Sequence, residues 1–529
     1  MDLKEIEDFI AKKTEELEAL YKNLQLAYWN ASLKGEKELY EEYGRCELAL
    51  KKFFNSVEDF KKVEEVLNQS IDDEIVAREV KILYDAYLSY QGDFSLMTEI
   101  TNKTSAVEHK FNTWRADLDG KKLSDNELKE ILTTELNNEK LQQVWEASKT
   151  KGKLVSDDVL EIVKLRNTLA KSLGFRDYYE FSLEVSEQKE KEIEELFLQL
   201  EKLTNGPFKQ LKGEMDEVLS KKYKLGKDEL MPWHYGDFYF QEGPHIYEVN
   251  LDDYYKEDIV EKAEKYYSSI GMDVKDILDR SSLYEQPGKY QHAYCIDIDR
   301  KGDVRTMQNL KNDEKWMETL LHELGHGVYS KYVDSSLPFL LRDQAHIFTT
   351  EAVAMLFGRK ARNAQFVKNY CDITQGQADS MSETVKKILR LRMLVFARWV
   401  QVMFHFEREL YKDPDQNLNK LWWDLKKRYQ LLNFERDEPD WASKIHLISS
   451  PVYYHNYMLG ELLASQLHNY ITDNFTKDFD SDYSGKKEVG KYLISNVFMP
   501  GARYRWDKMI ELATGEGLNP KYFVEEFAS

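Results

Sequence analysis

The sequence predicts a mostly α-helical protein, on three observations. Proline is scarce, 10 in 529 residues, so few interior positions are closed to helix. Long stretches carry apolar residues at three- and four-residue spacing, the period of an amphipathic helix. One segment departs from that pattern toward β structure. A chain of this length can bury a large core and is expected to form more than one lobe.

Taken in order, residues from Asp2 to about Val107 read as long, heavily charged amphipathic helices. Runs such as Lys189-Glu190-Lys191-Glu192 read as solvated helix faces. No internal repeat or low-complexity linker stands out. Tyr290 to Gln308 reads YQHAYCIDIDRKGDVRTMQ, with alternation on either side of an Asp-Arg-Lys-Gly-Asp turn. That is a β-hairpin signal, and an edge strand there could pair with an extended peptide. Asn312-Asp313-Glu314 then supplies a polar, acidic helix start. Trp316, Met317, Leu320, Leu321 and Leu324 follow at helical spacing. Thr349-Thr350-Glu351 opens a further apolar helix, with the threonines as expected caps.

The first of these two helices carries HELGH, His322-Glu323-Leu324-Gly325-His326. Positions i and i+4 share a helix face, so His322 and His326 can point two imidazoles at one Zn²⁺. Glu323 then stands beside a zinc-held water as its general base. The competing reading is a buried helix whose histidines bond backbone carbonyls. Glu351 is the candidate third ligand. It is the one acid between Asp343 and the end of its apolar stretch, and a lone carboxylate in such surroundings needs a partner. Against this stands an exposed glutamate that merely favours a helix N-terminus. Two histidines and a glutamate make a His₂Glu set with one coordination position open, as catalytic zinc requires.

Composition narrows the partners. A net charge of −21 argues against nucleic acid and anionic membranes. Cys46, Cys295 and Cys371 are few and scattered, which suits a reducing cytosol rather than a disulfide framework. The start, MDLKEIEDFIAKKTEELEAL, lacks the apolar core of a signal peptide, and no apolar run reaches membrane-spanning length. The expectation is a cytoplasmic protein.

Several separated segments resemble the angiotensin-converting enzyme family of peptidyl-dipeptidases, with the thimet oligopeptidase and oligoendopeptidase family as close relatives. They are HELGH with Glu351, Gly236-Asp237-Phe238-Tyr239-Phe240-Gln241, Gln291-His292-Ala293, Trp422-Trp423-Asp424-Leu425 with Arg428-Tyr429-Gln430, and Lys444-Ile445-His446-Leu447-Ile448-Ser449-Ser450 with Tyr454 and Tyr457. They occur in the family's order from about residue 140 onward. Taken singly, Tyr457, His446, Gln241 and Lys444 would pass as core or surface residues; order and neighbours distinguish them.

The resemblance implies a single bilobed peptidase domain over 1–529. Its expected shape is a helical ellipsoid with a deep central channel, a small hairpin beside the zinc site, and a helical lid within 1–107. It implies one Zn²⁺ held by His322, His326 and Glu351, with Glu323 as base. Tyr457 matches the tyrosine that stabilises the oxyanion. His446, His292 and Ala293 match residues that contact the substrate backbone. Gln241, Lys444 and Tyr454 match the trio that grips the substrate's terminal carboxylate, which favours release of C-terminal dipeptides from short peptides. Endo-acting oligopeptidase or carboxypeptidase action on the same scaffold, and a catalytically silent peptide binder, are the alternatives. The oligomeric state is left open.

The chain departs from the family pattern in three places. The His446–Tyr457 interval is one residue longer than usual, and Gln466 and His468 anchor the register after it. Met355 stands where an aspartate usually orients a zinc histidine. Asn456 and Lys426 replace arginines of chloride-binding members, so chloride is expected not to be required.

Overall fold

The computed structural model describes residues 1–247 and 249–528. Among them are 21 α-helices and two two-stranded antiparallel sheets, the mostly helical class expected. The chain divides into two compact units. The first takes Met1–Gln91, Val249–Val385 and Leu459–Tyr522. The second takes Gly92–Glu248, Lys386–Met458 and Phe523–Ser529. Among the described residues no helix is long and apolar enough to cross a membrane.

In the first unit, the helices Leu3–Lys34, Lys37–Phe54, Val57–Leu67 and Glu74–Leu88 follow the charged amphipathic pattern of the sequence. Asp2, Ser56 and Asp73 cap three of them by accepting backbone N–H bonds. Their apolar stripes meet in a core of Ile6, Ile10, Leu17, Phe53, Phe54 and Val80, closed by Phe339 and Leu340. A fifth helix, Phe94–Thr113, belongs to the second unit, so the 1–107 segment crosses the division at Gln91.

The expected hairpin is present. Tyr294–Asp297 pairs with Val304–Met307, in the register Tyr294↔Met307 through Asp297↔Val304. Its turn places Arg300 and Gly302 at positive φ. Tyr21 of the first helix donates to the Asp297 carbonyl at 3.1 Å, and Lys301 pairs with Glu18 at 2.6 Å.

A second hairpin, Ala116–Leu118 with Lys121–Leu123, lies in the other unit and was not expected. Its turn residues Asp119 and Gly120 both take positive φ, the Asp-Gly signature of a tight hairpin turn. That unit's core is aromatic. Trp145 packs at 5.9 Å on Trp233, 6.2 Å on Trp423 and 5.8 Å on Phe434.

Candidate active site

The helix Glu314–Lys331 begins where the sequence places it. Asp313 accepts from the Trp316 N–H at 2.8 Å, and Met317, Leu320, Leu321, Leu324 and Val328 are buried. The next helix is Ile347–Gly358, two residues earlier than the Thr349 start expected. Its cap is His346, which accepts from the Phe348 N–H at 3.2 Å. Thr349 lies inside the first turn and donates back to the His346 carbonyl at 2.7 Å. The threonines therefore do not cap this helix, which leaves the Thr350 hydroxyl free of that duty.

Gly325 lets the two helices touch. A Cβ there would stand 2.7 Å from Ala354 Cα and 3.2 Å from the Val353 oxygen, closer than backbone tolerates. The contact brings the ligand candidates together. His322 Nε2 and His326 Nε2 are 3.2 Å apart. Glu351 Oε2 lies 3.7 Å from the first and 3.9 Å from the second. All three donor atoms fall within 4.8 Å of one another. Ligands about 2 Å from a tetrahedral zinc stand roughly 3.3 Å apart, so the set fits that ion.

The electrostatics point the same way. Burial lowers the His322 pKa to about 4 and holds His326 well below its usual value, so both rings offer neutral lone pairs, the form a metal needs. Burial, then the charge of Glu461, raises Glu351 to about 7. Burial, then the charge of Glu351, raises Glu323 to about 8. Two carboxylates that resist ionisation beside two neutral imidazoles form a pocket that a dication would stabilise.

These side chains line a cavity of about 490 Å³ that is also lined by Ala293, Cys295 and Asp297 of the hairpin segment. Ala293, one of the two residues expected to meet substrate here, faces that space. His292 is exposed, with its ring 5.3 Å from that of Tyr290.

The second unit gathers the remaining five candidates. Lys444 Nζ donates to Gln241 Oε1 at 2.7 Å and lies 5.2 Å from the Tyr454 ring centre. Trp399 Nε1–H donates to the Tyr454 hydroxyl at 2.7 Å. The His446 ring stands 5.1 Å from Tyr454 and 6.5 Å from Tyr457. These contacts set donor directions. Gln241 spends its carbonyl on Lys444 and keeps its amide N–H groups. Tyr454 accepts from Trp399 and keeps its own proton. Burial lowers Lys444 to about 8, which leaves it a cation at pH 7. Burial, then the charge of Lys444, lowers His446 to about 4, so its ring is neutral and can both donate and accept.

Asp237, unassigned from the sequence, positions Gln241 by accepting its backbone N–H at 2.7 Å. Lys426 supports the same segment, donating to the Tyr239 carbonyl at 2.8 Å and to Gln430 at 2.6 Å. The His446–Tyr457 interval contains Val452 at φ 53, an unusual angle for a β-branched residue. Glu407 holds it there by accepting the Val452 N–H at 2.7 Å. Tyr454 and Tyr457, after this left-handed kink, lie in one aromatic cluster, 5.4 Å apart.

The family model described as angiotensin-converting enzyme, peptidase family M2, matches residues 1–527. The chain belongs to the angiotensin-converting enzyme family. The match reaches back to residue 1, well before the span that the motifs mark, and it is to this family rather than to the thimet oligopeptidase relatives. The family makes the chain a peptidase and its substrates peptides. No curated protein matches it.

Proposed function

We propose that the protein is a zinc-dependent peptidase that releases dipeptides from the free C-terminus of short peptides. The observation that carries this reading is the convergence of His322, His326 and Glu351 within 4.8 Å in a chain of a peptidase family. When bound, zinc supplies a Lewis acid that polarises the scissile carbonyl and acidifies water.

The protein's own groups supply the rest. Glu323, buried beside the ligands, takes a proton from the attacking water and passes it to the leaving amine. Burial holds its pKa up in the metal-free site; a bound dication would favour the carboxylate, the form that accepts the proton. The Tyr457 hydroxyl donates to the carbonyl oxygen as it becomes negative. Neutral His446, with His292 and the Ala293 backbone, orients the substrate strand. Lys444, Gln241 and Tyr454 present one cation and two neutral donors, a set that matches a carboxylate and makes the enzyme count from the peptide's end.

Chloride independence belongs to the same reading. Lys426 spends its protons on protein acceptors, so a bound anion is not needed to satisfy it. Cytoplasmic residence fits the three free cysteines.

C-terminal amidation tests the exopeptidase assignment. Cleavage of a free-acid peptide should fall steeply when the same peptide is amidated, through KM more than kcat. Equal cleavage of both forms would move the protein to an endo-acting oligopeptidase and remove the clamp roles of Gln241, Lys444 and Tyr454.

A further inference from the structure

The Thr350 hydroxyl stands 2.7 Å from His326 Nδ1. Thr350 is 5% exposed, so the contact is shielded from competing water. It is also the residue immediately before Glu351. One turn of one helix thus delivers a ligand carboxylate and, from the preceding position, a hydroxyl onto the ring of a second ligand.

The chemistry of an imidazole gives this contact a direction. A histidine that binds zinc through Nε2 must carry its proton on Nδ1. The two Nε2 atoms face each other across 3.2 Å, with Glu351 beside them, so the metal-facing edge of His326 is Nε2. Nδ1–H is then the donor and Thr350 Oγ1 the acceptor. The position where the family usually supplies an orienting carboxylate is Met355, whose sulfur packs where a Cβ on Gly460 would meet it at 3.3 Å. A thioether is only a weak acceptor.

We infer that Thr350 is the positioning residue for His326: its hydroxyl fixes the Nε2-facing tautomer and the ring angle, and so sets the affinity of the site for zinc. This rests on the zinc reading above. A neutral hydroxyl polarises the ring less than a carboxylate does, so the site should hold its metal less tightly than one built on a histidine–carboxylate pair.

The test is zinc affinity, measured by competition with a chelator on the metal-free full-length protein, with no turnover needed. Thr350→Val keeps the shape and removes the acceptor. It should weaken zinc binding about 10- to 100-fold, while Thr350→Ser, which keeps the hydroxyl, should recover most of it. Thr350→Ala should behave as the valine variant does, which separates loss of the hydroxyl from any strain of the buried methyl. Thermal unfolding of the metal-free variants serves as the control for the fold, and the affinity loss should appear in variants that unfold with the unaltered protein. Unchanged zinc affinity in both Thr350→Val and Thr350→Ala would overturn the inference. A serine variant as weak as the valine variant would also overturn it, because packing rather than the hydroxyl would then be at work. Failure of the unaltered protein to bind zinc at all would instead overturn the zinc reading, and this inference with it.

Discussion

The proposed metal cluster and the proposed carboxylate clamp both bury ionisable groups, of opposite sign. Around His322, His326 and Glu351, burial suppresses charge: the histidines are neutral and both nearby carboxylates resist ionisation. A bound dication would favour the ionised carboxylates there. Around Lys444 burial disfavours charge as well, but the groups it acts on are cations. Lys149, Lys426 and Lys444 all have lowered pKa values, and their ammonium groups rest on carbonyls, an amide oxygen and aromatic faces. The charges of Asp237, Asp440 and Glu242 partly offset that burial. In the proposed reading, a dication at the first region and a substrate carboxylate at the second would each offset the local cost of burial.

Substitutions in one region that leave the other intact sharpen the contrast. The largest effect is expected from Glu323→Gln. It should leave zinc bound, as read by metal content after gel filtration, and lower kcat about 100- to 10,000-fold. An active variant would remove Glu323 as the base. Next comes Lys444→Met. Loss of a charged hydrogen bond is worth roughly 1.5–3 kcal/mol, so KM for a free-acid peptide should rise about 10- to 100-fold. KM for the amidated peptide should barely change, and zinc content should be untouched.

A smaller effect is expected from pH alone. Lys444 is a cation below about 8 and loses its proton above it. KM for free-acid peptides should therefore climb as pH rises through about 8, while the amidated peptide shows no such limb. Burial of the cation lowers this pKa from its ordinary value, so the lysine's contribution to stability improves, rather than declines, as pH rises through that window. The smallest effect is expected from chloride. Exchange of chloride for acetate should leave activity unchanged, and a steep chloride dependence would contradict the assignment of Lys426 to protein acceptors.

The two regions also differed in how much of them the sequence disclosed. His322, Glu323 and His326 were legible because helical spacing alone puts i and i+4 on one face, and Glu351 because an isolated acid in an apolar run needs an explanation. The proposed clamp was legible only through family resemblance. Gln241, Lys444 and Tyr454 are brought together by tertiary packing, which no local periodicity encodes. Thr350 escaped notice for a related reason. A threonine near a helix start reads as a cap, and only the approach permitted by Gly325, together with the His346 cap, turns its hydroxyl toward His326. The Ala116–Leu123 hairpin is a different kind of miss: Asp119-Gly120 was a usable turn signal, but its three-residue strands are too short to show alternation.

The central claim is that one protein couples a metal-dependent cleavage to a grip on the substrate's end. Mass spectrometry of a free-acid decapeptide, digested with and without a chelator and after zinc is restored, tests both halves at once. The account predicts stepwise loss of dipeptides from the C-terminus, abolished by the chelator and recovered with zinc. Internal cleavage, or dipeptide release that persists under chelation, would contradict it.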